Sequence, residues 1–173
     1  TFRWNYTKVR GFLFNEEDSE LCPLCNAAQE TNQHVLRCGH EKVLENRDDR
    51  LADLATALRT IGTQKDMVRL MMTYVSTTEP IPLDLVRYAP CENGFRDLMT
   101  RQSLIGDGNW ECGWWSCAWK EQHDRLRKNG HRAKYSRDKW APCAQAMLWE
   151  YVRSLWVRRN EVIHSANEEE ERQ

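Results

Sequence analysis

Apolar positions recur along most of this chain at three- and four-residue intervals, and that spacing predicts an all-α, multi-helix fold. In HEKVLENRDDRLADLATALRTIG the stripe is Val43, Leu44, Leu51, Leu54, Ala55 and Leu58, with charges between. Gly62 stops that helix, and Thr63 is placed to cap the next, TQKDMVRLMMTYVS, with Met67, Val68, Leu70, Met71 and Val75 on one face. A further helix is expected over 92–104, broken by GDGN at 106–109. Ser116 then reads as the N-cap of CAWKEQHDRLRKN, which Asn129-Gly130 ends. After Pro142 comes the broadest apolar face: Met147, Leu148, Tyr151, Val152, Leu155, Trp156 and Ile163. Residues 1–14 carry Trp4, Val9 and Phe12 at helical spacing, whereas Pro80, Pro82 and Pro90 make TTEPIPLDLVRYAP irregular. Neither a strand-like alternation nor an internal repeat stands out.

Periodicity does not account for LCPLCNAAQETNQHVLRCGH, residues 21–40. Cys22-Pro-Leu-Cys25 is a tight turn that can aim two thiolates at one point. His34 and Cys38 lie four apart, which stacks them on one helical face, and Thr31 is positioned to cap that helix. The resulting C-x2-C-x8-H-x3-C set suits one tetrahedral Zn²⁺ with no open coordination position, a structural rather than a catalytic arrangement. His40 is the alternative histidine ligand, and helical geometry favours His34. Such a staple contributes on the order of 10 kcal/mol to folding, so losing the metal is expected to unfold the N-terminal third. The chain therefore reads as a zinc-knuckle and helical segment at 1–62, a Trp-rich helical segment at 63–165, and an acidic tail at 166–173 expected to be disordered.

Composition narrows the setting. The chain has 173 residues, seven cysteines and eight tryptophans, enough apolar side chain for a packed core. An odd cysteine count without an apolar signal segment points to reduced thiols and an intracellular location, nucleus or cytoplasm. The N-terminal residue, Thr1, suggests a processed or excised segment. A net charge of −1 excludes a wholly basic nucleic-acid coat, so any phosphate contact must be local. Residues 123–139 supply the one concentrated basic stretch, HDRLRKNGHRAKYSRDK, with seven Lys/Arg against two Asp. Arg125, Arg127, Lys128, Arg132 and Lys134 are its candidate phosphate contacts, with a solvated helix end as the competing reading. Seven tryptophans fall between residues 110 and 156, at spacings that suit a bundle core. Trp114 faces differently from Trp115 and is the candidate for an exposed, base-stacking ring. Cys112, Cys117 and Cys143 read as separate thiols, because their spacing with His123 is too loose for a second metal site. Asn160 and His164 read as contacts that fix the last helix, and no catalytic residue is assigned.

A family resemblance accompanies these motifs. CPLCNAAQETNQHVLRCGHEK resembles the zinc-binding segment downstream of reverse transcriptase in retrotransposon polyproteins, through Cys22, Cys25, Glu30, Thr31, His34 and Cys38. TKVRGFLF is similar to the basic and aromatic lead-in of those segments. IGDGNWECGWWSCAW resembles a later region of the same class at Ile105, Gly106, Trp110, Gly113, Ser116 and Trp119, and departs from it at the GDG loop, Cys112 and Cys117. LWEYVRSLWVRRNEVIH is similar to its ending at Leu155, Trp156, Arg159, Asn160 and His164. The likeness runs from about residue 8 to 165. No Tyr-x-Asp-Asp polymerase signature and no spaced carboxylate set of a ribonuclease H occurs. The resemblance thus implies a non-catalytic module that grips RNA or DNA, alone or beside an upstream polymerase domain. The alternative is a zinc-stapled structural or protein-interaction domain; neither reading calls for a membrane or a small-molecule substrate.

Overall fold

The structure is a computed structural model that describes residues 20–45, 47–77, 93–106, 109–110, 113–128 and 135–170. Seven helices are defined there: α1 (Asn32–Arg37), α2 (Glu41–Leu44), α3 (Arg47–Thr60), α4 (Lys65–Ser76), α5 (Asn93–Ile105), α6 (Cys117–Lys128) and α7 (Arg137–Glu170). Among the described residues there is no strand, only an isolated antiparallel bridge between Leu21 and Gln29. The all-α expectation therefore holds. The helix expected over 1–14 and the irregular stretch at 78–90 lie outside the described residues. No described helix is long and apolar enough to cross a membrane.

Local signals explain most of the helix ends. The Thr31 hydroxyl accepts from the His34 N–H at 3.0 Å and starts α1. Beyond α3, Gly62 takes φ +81°, its N–H bonding Arg59 O at 2.9 Å while the Thr63 N–H bonds Leu58 O at 3.1 Å. This paired closure needs a left-handed residue, which glycine adopts without steric cost. Two expected caps are replaced. Gln64, not Thr63, caps α4, its Oε1 accepting from the N–H groups of Asp66 at 2.7 Å and Met67 at 3.3 Å. Thr63 is buried instead, and its hydroxyl accepts from the Trp140 indole at 2.8 Å. Ser116 immediately precedes α6, but its buried hydroxyl makes no hydrogen bond; the Gln102 amide takes the Ser116 N–H at 2.9 Å. A long-range acceptor already holds that turn, so the local cap is not needed.

The chain forms two compact units, one of the residues up to Arg50 together with those from Val152 on, the other of Leu51–Tyr151. The boundaries expected from sequence fall between 62 and 63 and between 165 and 166, whereas the compact units divide within α3 and within α7. The backbone of α7 stays helical through Glu170, so most of the tail expected to be disordered is helix. Glutamate is a good helix former and extends a helix that is already nucleated.

In the first unit Cys22, Val35, Leu36, Cys38, Val43, Leu155 and Val162 are buried, together with the charged Glu30, Arg37, Arg47 and Arg159. The second unit has an aromatic core. Trp110 stacks on Trp115 at 5.6 Å between centroids, Trp119 lies 5.5 Å from Trp115, and Tyr74 meets Trp110 edge-on at 5.1 Å. Aromatic pairs of this kind add about 0.5–1.5 kcal/mol each beyond their burial. Trp110, Trp119 and Trp140 are fully buried, as a bundle core requires. Gln102, on α5, is the polar centre of this unit: its Oε1 accepts from the Ser116 N–H and from the Trp119 indole at 3.0 Å, and its Nε2 donates to Trp114 O at 3.0 Å.

Candidate metal centre

The knuckle is built by backbone bonds before any ligand is considered. The Glu30 N–H reaches Glu20 O at 2.8 Å and the Cys22 N–H reaches Ala28 O at 2.9 Å, closing a loop around Cys22-Pro-Leu-Cys25. Asn26 turns the chain with φ +50°, a left-handed conformation that asparagine tolerates, and its N–H bonds Cys22 O at 2.9 Å. Thr31 then launches α1, which carries His34; Cys38 follows as its C-cap residue.

These elements bring Cys22, Cys25, His34 and Cys38 together, with all four ligand atoms within 4.8 Å of one another. Cys22 Sγ lies 3.9 Å from Cys38 Sγ, and Cys25 Sγ lies 3.3 Å from His34 Nε2. A tetrahedral ion with metal–sulfur bonds of about 2.3 Å and a metal–nitrogen bond of about 2.0 Å would set these spacings near ~3.8 and ~3.5 Å. The donor set thus fits one ion, and four protein donors leave a tetrahedral ion no place for substrate. Cys22 and Cys38 are buried, while Cys25 and His34 are half-buried. His40 is not part of the cluster; it is the N-cap residue of α2, and its backbone N–H donates to Cys38 Sγ.

The electrostatics match a cation site. The Cys22 thiol is pulled down to about 4, first by the hydrogen bond from Cys38, then by the backbone N–H groups of Cys25 and Leu24. Cys38 is pushed up, because its proton is held by Cys22 and because burial opposes a second thiolate. Two buried sulfurs sharing one proton are what a divalent ion relieves by displacing that proton.

An ion pair that sequence reasoning did not anticipate lies in the same unit. Arg159 on α7 pairs through Nη2 with Glu30 Oε1, and the two side chains are only 7% and 2% exposed. Arg159 also donates from Nη1 to Asn160 Oδ1 at 2.9 Å and lies 5.0 Å over the Trp156 ring. The signal was available: Glu30 beside the capping Thr31, and Arg159-Asn160 in the last helix, are among the residues that carried the family resemblance. His164, by contrast, is exposed.

Among the described residues, the candidate nucleic-acid side chains are not gathered into one site. Arg125 is exposed on α6. Arg127 bonds the Asp124 carboxylate at 3.0 Å and Lys128 reaches its other oxygen at 3.1 Å; these two cations, Lys128 first, hold that carboxyl below its usual range. Arg132 and Lys134 lie outside the described residues. Trp114 is 69% exposed, as expected, but it precedes α6 whereas the three cations lie in its last turn. His123, inside the basic stretch, is buried: it stacks on Trp140 at 4.5 Å and bonds Tyr135 O at 3.2 Å, so it does not face solvent phosphate. Cys117 is exposed and accepts from Arg101 Nη2 at 2.8 Å, so it is not assembled with His123. Cys112 lies outside the described residues. No family profile, no curated protein and no solved structure matches this chain.

Proposed function

We propose that this chain is a non-catalytic, zinc-stapled module that grips nucleic acid, of the kind found downstream of reverse transcriptase in retrotransposon polyproteins. The observation that carries the reading is the Cys₃His cluster, whose four ligand atoms lie within 4.8 Å of one another, in a knuckle that Glu30 ties to Arg159. Zinc is the ion that three thiolates and one imidazole in a closed tetrahedron select, since soft sulfur donors exclude calcium and magnesium. Kinship is supported because Glu30 and Arg159, two markers of the resemblance far apart in sequence, are partners in the fold. Gripping of RNA or DNA rests on the cations Arg125, Arg127 and Lys128 and on the exposed Trp114 ring. The bonds of Arg127 and Lys128 to Asp124 are at the surface, where ion pairs are worth little and a phosphate can replace the carboxylate.

Binding of a generic RNA or DNA oligonucleotide, followed by fluorescence anisotropy over a salt series, tests this. Affinity should fall steeply with salt, and the triple change Arg125→Ala, Arg127→Ala, Lys128→Ala should flatten the slope by about 0.9 per lost duplex phosphate contact. Absence of binding at low salt would overturn the nucleic-acid role. A groove of about 650 Å³ lined by Glu41, Lys42, Glu45, Arg158 and Glu161 favours the second reading, a zinc-stapled protein-interaction domain. Its mixed charges suit a polypeptide better than a polyphosphate.

A further inference from the structure

We infer that Arg159 is an outer partner of the metal centre: its buried guanidinium, held by Glu30, balances the charge of the thiolate cluster and ties the end of α7 to metal occupancy. The inference rests on the metal reading above. Three thiolates around a divalent ion leave a net −1, and Glu30 adds a second buried negative charge, 1% exposed, beside the cap of the helix that presents His34. Arg159, itself 5% exposed, pairs with that carboxylate and so brings a buried positive charge into the same unit. The link to the cluster runs through Glu30, whose backbone N–H bonds Glu20 O at 2.8 Å and so closes the loop that carries Cys22 and Cys25. Arginine suits the position because its flat guanidinium pairs with Glu30, bonds Asn160 and lies over Trp156 at once, which a lysine ammonium does not. Outer-shell groups of this kind commonly change metal affinity by about 10–100-fold when removed.

Two single changes and their combination separate charge balance from a purely structural clip. The full chain is loaded with Zn²⁺ and titrated with a chromophoric chelator, and Co²⁺ substitution reads the ligand set through its thiolate charge-transfer and d–d bands. If Arg159 balances charge, Arg159→Met should weaken Zn²⁺ binding by about 10–100-fold. Glu30→Gln should tighten it, because one anion beside the cluster is gone. The double change, which removes both members of the buried pair together, should bind more weakly than Glu30→Gln alone. All variants should keep the Cys₃His cobalt spectrum. Equal affinities in Arg159→Met and wild type, or weakened binding in Glu30→Gln, would overturn the role of Arg159 while leaving the metal centre standing. A wild-type chain that takes up neither ion would overturn the metal reading and this inference with it.

Discussion

Replacing Gln102 with leucine keeps most of the side-chain volume and removes all three of its hydrogen bonds. Two of the stranded groups are buried donors, the Ser116 N–H at 2.9 Å and the Trp119 indole at 3.0 Å. Each unpaired buried donor costs about 1–3 kcal/mol, so the pair costs roughly 2–6 kcal/mol. The Trp114 carbonyl is only part-buried, can take a water molecule, and adds less. Leucine recovers part of the loss because no amide has to be desolvated, which leaves a net destabilisation of about 3 kcal/mol. For a chain of this length that corresponds to a fall in Tm of about 6–12 °C. The assay is urea unfolding of the metal-loaded chain followed by tryptophan fluorescence, which reports on the second unit where the buried rings lie. The same change should weaken oligonucleotide binding, since Gln102 tethers the backbone of Trp114. A midpoint unchanged within error would refute the claim that Gln102 organises the aromatic core.

Three further outcomes are expected. Cys38→Ser should lose the metal by elemental analysis and the helical signal of the first unit by circular dichroism, because a structural zinc supplies on the order of 10 kcal/mol; retained zinc would argue against the ligand set. Burial lowers the His123 pKa from its usual 6.5, so below that pH the unfolded chain binds a proton the folded chain resists. Stability is therefore full above pH 6.5 and lost as the pH falls below it; His123→Phe, which keeps the stack on Trp140, should reduce that loss in urea midpoints taken either side of 6.5. Gly113→Ala should destabilise the second unit, since the backbone there has φ +90° and a Cβ would lie 2.7 Å from the Trp149 ring and closer still to the Gln145 amide; a melting temperature equal to wild type would show that both side chains yield freely.

The Cys₃His cluster was legible because its parts are local. A four-residue turn, a capped helix and a C-cap cysteine fall within a short stretch, and short-range geometry decides where their ligand atoms point. The helices were legible for a similar reason: the stripe Met67, Val68, Leu70, Met71 and Val75 is buried throughout. Trp114 could be singled out because adjacent residues on a helix or turn cannot face the same way. What escaped were the long-range polar contacts. Thr63 has the chemistry of a cap, yet the Trp140 indole claims its hydroxyl from far along the chain. Ser116 lost its capping role to Gln102 in the same way. His123 sits in a sequence of cations, but helical phase turns it toward Trp140 while Arg125 turns outward. The Glu30–Arg159 pair was visible only as two separate motifs, since nothing in either implies that the other lies beside it.

That pair also dictates an order of events during synthesis. The knuckle leaves the ribosome before the second unit, whereas Arg159 is translated only after the whole of it. A nascent chain therefore presents the four ligand side chains before the guanidinium that pairs with Glu30 has been made, and a message cut short before that codon would leave Glu30 without it.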